Sequence, residues 1–554
     1  MKKVNKLKNI RKRVWIKYVV SAILGLCSSV AYDYIEKGDC HISPLVFVRA
    51  GILFGLYLVL FYLVEVLLSK KDGSNKFLRN KKIKYLFGNK TPFWKQALTI
   101  AGIIFVMWLP YFAASYPGNM SNDTTGQLPM YFAMFDDQKE YEMQDQHPVF
   151  TTMVFGSVVY VANLIFNNMH AALAFCILLQ MMVTALVFGF AIVWMKRRWG
   201  IATWLCIGII GFLTLFPLMP LMVISLSKDT FFSWIYVLFV IALFELVRQD
   251  FRIINNKKYL VGLVLLCLLI CLTKKLGVYI VSGTLVLFVL FCKQQWKIRL
   301  KIAIPLVLSA GLMFIIMPII IANTGITPTP KKEMFGLPFQ QTALTYIRHG
   351  DSMAEDELTQ LDKLMDLSTL KERYVPYVVD PVKGPVSDDN DFGAYIKLYI
   401  KQFFKYPDSY IDALALHVAG VFVPYQISPI FDNHWHTWNG GYFDEGFFDK
   451  PDFSRAQSIK LQEYYDWLTD TPILNLGVFS ITYVVFIPAW YLICLIMRGK
   501  KKRDLLLFVP ILASLVGLVL SATVYDGNEA MRYLMPFVYS APILIAYSQY
   551  LLYT

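Results

Sequence analysis

A polar loop between two apolar segments holds the residue types that could do chemistry. Residues 116–127 are polar and rich in turn formers, and they include Asp123. An acidic, aromatic run follows, and Asp145, His147 and Pro148 then precede another apolar segment. An ionised aspartate can take a proton from a hydroxyl as a general base or orient that hydroxyl through a metal ion. We therefore predict that Asp123 and Asp145 are catalytic. The substrate-binding residues predicted beside them are Asn122, Gln127 and His147.

The composition places this loop in a membrane protein. The 554 residues are 56% hydrophobic and 17% charged, and many apolar runs reach the 17 to 25 residues, roughly, that a membrane-spanning helix needs. A soluble protein is therefore excluded. The net charge is +14, but the basic residues form short clusters between apolar runs, as the positive-inside rule predicts. We expect no nucleic-acid partner.

The basic clusters also predict the topology. Residues 1–17 and the connector 70–95 are strongly basic and should be cytoplasmic, whereas 115–147 has six acidic residues and one lysine and should be external. If the apolar run 148–166 crossed the bilayer, the basic triplet 196–198 would lie outside, so we predict an interfacial helix there. The result is about twelve transmembrane helices with both termini cytoplasmic in the cell membrane and the active site extracytoplasmic.

The predicted fold is an all-α polytopic membrane bundle with interfacial helices, 409–427 being a second one, and a mixed extracytoplasmic domain. The predicted divisions are an N-terminal two-helix segment with its basic connector at 1–95, a catalytic membrane core with the external loop 115–170 at 96–322, the extracytoplasmic domain at 323–470, and the C-terminal transmembrane helices at 471–554.

Three other external turns carry cations at the ends of helices, against the positive-inside rule. A cation at the external end of a membrane helix needs a counter-charge, and an anionic ligand supplies one. A lipid-linked phosphate could be held there and stabilised as it leaves. The turn residues predicted to bind substrate are Lys228, Asp229, Lys274, Lys275, Glu529, Arg532 and Tyr533.

These motifs resemble the GT-C superfamily of polyprenyl-phosphate-sugar-dependent glycosyltransferases, which includes protein O-mannosyltransferases and the aminoarabinose transferase of lipid A. The resemblance rests on Asp123, then Asp145 followed by His147-Pro148, and an apolar helix after the proline. It implies a GT-C-like bundle in which Asp123 is the base or orients the acceptor. Asp145 would position acceptor, donor or a divalent ion. Val149 stands where the protein mannosyltransferases have a second proline, which leaves the sugar and the acceptor open.

Later segments resemble an uncharacterised Gram-positive branch of GT-C-like proteins. They are 227–229, 338–341 and 528–533. The second of these adds Gln340 and Gln341 to the predicted substrate-binding residues.

The predicted reaction is transfer of a hexosyl or pentosyl group from undecaprenyl phosphate, or another polyprenyl phosphate, to a hydroxyl. The acceptor would be a cell-surface glycan or teichoic-acid-like polymer, and the transfer would invert the configuration at the anomeric carbon of the sugar. The alternatives are a transporter or flippase of lipid-linked glycans, and a glycan polymerase or ligase. A divalent cation, Mg²⁺ or Mn²⁺, could be held by Asp123, Asp145 and His147; the same residues fit a hydrogen-bonded network equally well.

Overall fold

The computed structural model describes residues 14–39, 43–72, 80–135, 141–423, 456–499, 502–520 and 527–553. Nearly all of this part of the chain is helical, and its one sheet joins two strands of two residues each. Seven of its helices are long and apolar enough to cross a membrane. The expectation of an all-α membrane protein is therefore confirmed.

The first half of the chain forms most of the bundle. Its elements are α1 (Trp15–Lys37), α2 (Pro44–Leu68), α3 (Lys81–Phe87), α4 (Phe93–Ala114), β1 (Asn119–Met120), α5 (Asn122–Ala133), α6 (Val149–Phe166), α7 (Met169–Trp199), α8 (Thr203–Leu215), α9 (Leu218–Val223), β2 (Ser225–Leu226), α10 (Lys228–Arg248), α11 (Lys257–Thr273), α12 (Gly277–Phe291), α13 (Trp296–Gly311) and α14 (Met317–Asn323). A π-helical turn, Leu312–Ile316, joins α13 to α14.

The second half adds a polar domain and the last bundle helices. Its helices are α15 (Gly336–His349), α16 (Glu355–Met365), α17 (Leu367–Arg373), α18 (Asp380–Lys383), α19 (Phe392–Lys405), α20 (Pro407–Val418), α21 (Ala456–Asp470), α22 (Ile487–Arg498), α23 (Val509–Val519) and α24 (Gly527–Tyr553). Another π-helical turn, Thr482–Phe486, precedes α22. Short 3-10 segments lie at Arg252–Asn255, Lys331–Phe335, Gly350–Ser352, Ala419–Phe422, Leu474–Gly477 and Lys502–Phe508.

Ion pairs identify one end of the bundle, which we call the basic end. Arg198, at the end of α7, lies 2.6 Å from Glu245 near the end of α10, and Lys196 lies 3.3 Å from Asp72 after α2. Glu245 is 17 residues along α10 from Lys228, or about 26 Å at 1.5 Å per residue. The strands β1 and β2 and the start of α10 therefore lie at the opposite end, the loop end.

Helix α6 is the apolar run that we predicted to be interfacial. By length and composition it is one of the seven helices that could cross a membrane. Phe150 and Phe155, in the first two turns of α6, both contact Phe231 near the start of α10, at ring distances of 6.5 and 5.8 Å. The start of α6 therefore lies at the loop end.

The polar domain, defined here as residues 324–423, has its own hydrophobic core around Phe339, Leu361 and Tyr395. Within it, α20 is a 12-residue helix in the region 409–427 that we predicted to be interfacial. At about 18 Å it is too short to cross a hydrocarbon layer of about 30 Å. It packs against α15 and the end of α1, where Tyr34 donates to Asp412 at 2.6 Å.

Helix α21 falls within the predicted extracytoplasmic domain, 323–470, but it lies against the bundle. Tyr464 donates to the carbonyl of Leu215 at 2.8 Å, and Ser458 donates to the carbonyl of Ala114 at the end of α4. Residues 424–455, which fall in the same predicted domain, lie outside the described residues.

Candidate active site

Two helices that begin side by side position the first charged residues. Strands β1 and β2 pair in parallel, with Asn119 opposite Ser225 and Met120 opposite Leu226. Each strand is followed by a serine that caps the next helix: Ser121 accepts from Thr124 N at 3.4 Å in α5, and Ser227 accepts from Asp229 N at 3.0 Å in α10. Serine is a favoured N-cap because its oxygen satisfies a free amide of the first turn. The pairing thus places Asp123 beside Lys228.

Asp123 is the centre of the cluster that results. Its Oδ2 atom lies 2.5 Å from Lys228 Nζ and 2.6 Å from Nη1 of Arg532, which comes from α24. His147 Nδ1 is 3.7 Å from the same oxygen and 2.9 Å from Lys228 Nζ. Each of the four side chains is less than one fifth exposed. Residues from four separate regions of the sequence therefore meet on one carboxylate oxygen.

The charges in the cluster set the protonation states of Asp123 and His147. Burial alone would raise the pKa of Asp123, but the positive charges of Lys228 and Arg532 outweigh it and hold that pKa well below its usual value. Burial and the neighbouring Lys228 lower the pKa of His147 to about 4, so the imidazole is neutral at pH 7. Among the described side chains of the cluster, two cations then face one carboxylate oxygen.

A second ion pair lies next to the Asp123 cluster. Lys274, in the turn between α11 and α12, contacts the carboxylate of Asp229, and both side chains are buried. The Lys274 ammonium also lies 4.8 Å from the centre of the Tyr533 ring. This pair links the start of α10 to the turn before α12 and to the residue that follows Arg532.

Asp145 takes part in a third arrangement. Its Oδ2 lies 2.8 Å from Lys275 Nζ, and its backbone carbonyl accepts from Thr329 Oγ1 at 2.8 Å. Its backbone amide donates to the carbonyl of Thr327 at 2.8 Å. Asp145 therefore ties the loop before α6 to the chain just after α14, where the polar domain begins. Thr329 was not predicted from the sequence, because nothing near it in the chain distinguishes it from other loop threonines.

An apolar groove of about 180 Å³ begins at this third arrangement. Asp145 and Lys275 provide its polar residues, and apolar side chains from α6, α11, α12 and the π-helical turn between α13 and α14 line the rest. Phe314 of that turn and Tyr279 of α12 are 59% and 62% exposed. π-helical turns occur frequently at functional sites.

The structure places the remaining predicted residues in different surroundings. Gln127 donates to Thr151 at 3.0 Å and Thr152 at 2.8 Å, which fastens α5 to α6. The amide of Gln340 donates to the carbonyl of Val375 at 2.9 Å, and Gln341 donates to that of Tyr410 at 3.0 Å. These two glutamines are therefore engaged inside the polar domain and not with the charged cluster. The side chains of Asn122 and Glu529 lie outside the described part of the structure.

The predicted metal ligands are not grouped as a metal site. Asp123 and His147 lie together, but Asp145 is engaged by Lys275 and Thr329. In the part of the chain that the structure describes, no group of three His, Cys, Asp or Glu side chains could hold a metal ion. The three residues thus have the arrangement of ion-paired, hydrogen-bonded groups, the other possibility that the sequence left open.

Taken together, the fold and the site define a helical membrane-type protein with a charged cluster at one end of its bundle. A family model described as a family of unknown function, DUF6020, matches residues 134–549, and the chain belongs to that family. The match includes Asp145, His147, Lys228 and Arg532 and begins after Asp123. No curated protein and no solved structure matches the chain.

Proposed function

We propose that this protein is a membrane glycosyltransferase of GT-C type that moves a sugar from a polyprenyl phosphate to a hydroxyl on the external face of the cell membrane. The observation that carries the proposal is the sharing of one Asp123 oxygen by Lys228 and Arg532, at 2.5 and 2.6 Å. Two cations on one carboxylate favour a second anion, and a phosphate is the anion that a lipid-linked donor supplies.

The surroundings of the cluster support a phosphate ligand. The helices α5 and α10 both begin there, and the dipole of a helix favours negative charge at its N-terminus. The apolar groove at Asp145 and Lys275 gives a place for the lipid chain of the same donor. A donor with a charged head and a long apolar tail matches both features at once.

The change in charge during the reaction fits the position of Lys228 and Arg532. The acceptor oxygen attacks the anomeric carbon, and the bond from that carbon to the phosphate oxygen breaks with its electron pair on the phosphate. A phosphodiester with one negative charge thereby becomes a phosphomonoester with two. Lys228 and Arg532 hold this growing charge, so they stabilise the transition state more than the bound donor.

Asp123 receives the acceptor proton in this scheme. In the structure its low pKa makes it a weak base, because two cations hold the charged form. When the donor phosphate draws Lys228 and Arg532 toward itself, Asp123 loses part of that stabilisation and its pKa rises. The carboxylate thus becomes a stronger base only when the donor is bound.

The orientation of the protein in the membrane is part of the same proposal. Twelve apolar helices cross the membrane, both termini and the basic end face the cytoplasm, and the loop end carries the active site outside. Cysteines introduced singly at Lys397 in the polar domain and Lys297 at the start of α13 test this with an impermeant thiol reagent on intact cells. We expect labelling at position 397 without permeabilisation and at position 297 only after it. The opposite pattern would reverse the orientation and overturn the proposal.

Asp123→Asn tests the reaction itself. Cells that lack the protein are complemented with the wild type or the variant, and the sugar content and linkages of the surface polymers are compared. We expect the wild type to restore a sugar that Asp123→Asn does not, with equal amounts of both proteins in the membrane. Asp356→Asn, an exposed change on the polar domain, is the control and should restore it fully. Full restoration by Asp123→Asn would remove Asp123 from the chemistry.

Reconstituted protein distinguishes a transferase from a flippase. Proteoliposomes are loaded with a fluorescent polyprenyl-phosphate sugar, and both its transbilayer movement and the formation of glycosylated acceptor are followed. Transfer to an added acceptor supports the proposal. Movement of the lipid without any transfer would favour the transporter.

A further inference from the structure

A second cavity lies at the basic end of the bundle, at the opposite end from the Asp123 cluster. It encloses about 720 Å³ between the turn after α10, the end of α12 and the 3-10 segment Lys502–Phe508. That volume is in the range of about 300 to 1,000 Å³ found for small-molecule sites. None of the residues that line it takes part in the proposed transfer reaction.

The walls of this cavity are mainly apolar. Phe251 is 2% exposed, whereas Phe291 and Leu505 are 61% and 42% exposed. Exposed apolar side chains of this size are available to a lipid chain that lies beside the bundle. A chain of methylene groups is the kind of molecule that such a surface takes up.

Cations supply the polar part of the cavity. Lys293 and Arg503 line it together with one carboxylate, that of Asp250, which Arg503 contacts. The Nε atom of Arg503 is buried and has no hydrogen-bond partner among the described residues. Along the chain, 293–301 and 498–503 are both basic runs. Among the described residues that line the cavity, two are cations and one is a carboxylate.

The turn that forms one side of the cavity has an unusual backbone. Asp250 and Phe251 have φ angles of 54° and 62°, and the Phe251 amide donates to the carbonyl of Leu246 at 2.8 Å. Phenylalanine rarely adopts this left-handed conformation, and strained backbone of this kind is concentrated at ligand sites and switches. The turn presents Asp250 and Phe251 to the same cavity.

We infer that this cavity binds an anionic phospholipid of the surrounding bilayer, with an acyl chain beside Phe251, Phe291 and Leu505 and the phosphate at Lys293 and Arg503. Basic sites between membrane helices are typical places for anionic head groups. The phosphate replaces part of the contact between Arg503 and Asp250. This site is independent of the proposed transferase function, because it lies at the other end of the bundle.

Native mass spectrometry of the purified full chain tests the inference. The delipidated protein is titrated with phosphatidylglycerol or with phosphatidylcholine of the same acyl chains. We expect at least one phosphatidylglycerol to be retained about tenfold more strongly, since each cation near a head group contributes a comparable factor. Equal retention of the two lipids by the wild type would overturn the site.

Variants then locate the binding. The double variant Lys293→Gln/Arg503→Gln should lose the preference, whereas Lys257→Gln/Lys258→Gln, an equal charge loss at the exposed start of α11, should keep it. Asp250→Asn should strengthen retention, because it removes the competing carboxylate and asparagine tolerates a positive φ. Equal losses in the two double variants would show a general attraction to the basic end and refute a built site. Thermal unfolding of each variant shows that it is folded.

Discussion

The two ends of the bundle contain the same kinds of charged residue in different arrangements. At the basic end, away from the Arg503 cavity, Arg198 meets Glu245 as a single pair, and Lys17 and Arg498 contact separate oxygens of Glu65. At the loop end, Lys228 and Arg532 share a single oxygen of Asp123. Cations that each contact a carboxylate oxygen of their own fasten helices together, whereas two cations on one oxygen favour a further anion. The difference separates charges that hold the bundle from charges that we expect to bind substrate.

Loss of a shared cation should have the largest effect. Lys228→Met or Arg532→Met should lower the rate of sugar transfer by about 10²- to 10³-fold, the usual loss when one donor to a developing negative charge is removed. The rate is measured on purified protein with a polyprenyl-phosphate sugar and an acceptor. If these variants lose donor affinity without any change in the rate at saturation, the cations bind the phosphate but do not act in the transition state.

The buried pair Asp229–Lys274 should matter for folding. Asp229→Asn leaves the Lys274 ammonium buried without its counter-charge, and breaking such a pair costs about 3–5 kcal/mol. We expect a clear drop in the thermal unfolding temperature in detergent. Asp229→Asn/Lys274→Met removes both charges and should recover part of the loss. Asp380→Asn, at a largely exposed carboxylate in the polar domain, should cost less than about 1 kcal/mol.

Acid should destabilise the loop end through His147. The pKa of this side chain is lowered from 6.5 to about 4, so between these values the unfolded chain binds a proton that the folded chain does not. Stability therefore rises with pH in this window and is lost as pH falls from about 6.5 to about 4, by up to about 3 kcal/mol. Unfolding temperatures measured across the window give the slope.

The variant His147→Gln should reduce that slope. An identical slope in His147→Gln and the wild type would assign the pH dependence to other groups.

Charge removal at the basic end should have the smallest effect on transfer. Arg198→Gln breaks a partly exposed pair with Glu245, and such pairs contribute about 0–1 kcal/mol. We expect a transfer rate within about twofold of the wild type in the assay used for Lys228→Met. A loss as large as that of Lys228→Met would remove the distinction between the two ends.

The apolar helices and the residue types of the site were predictable from the chain. Whether a run such as 44–68 forms a long apolar helix depends on local composition, and α2 occupies that range as Pro44–Leu68. The cations at Lys228, Lys274 and Arg532 stood out because they contradicted the charge pattern of the other loops. Gln340 and Gln341 were grouped with the site by resemblance, but the structure engages their amides with backbone carbonyls of the polar domain.

The sequence could not predict which charged side chains of the site contact each other. Asp123, Lys228 and Arg532 are far apart in the sequence, and the first two are brought together by a β1–β2 ladder of two residues per strand, which has no sequence signature. The sequence alone therefore established that the protein is helical and mainly apolar and that its loops contain reactive side chains. Which carboxylate receives two cations, and which receives one, depends on tertiary contacts, because charges interact strongly only within a few ångströms once the helices are packed.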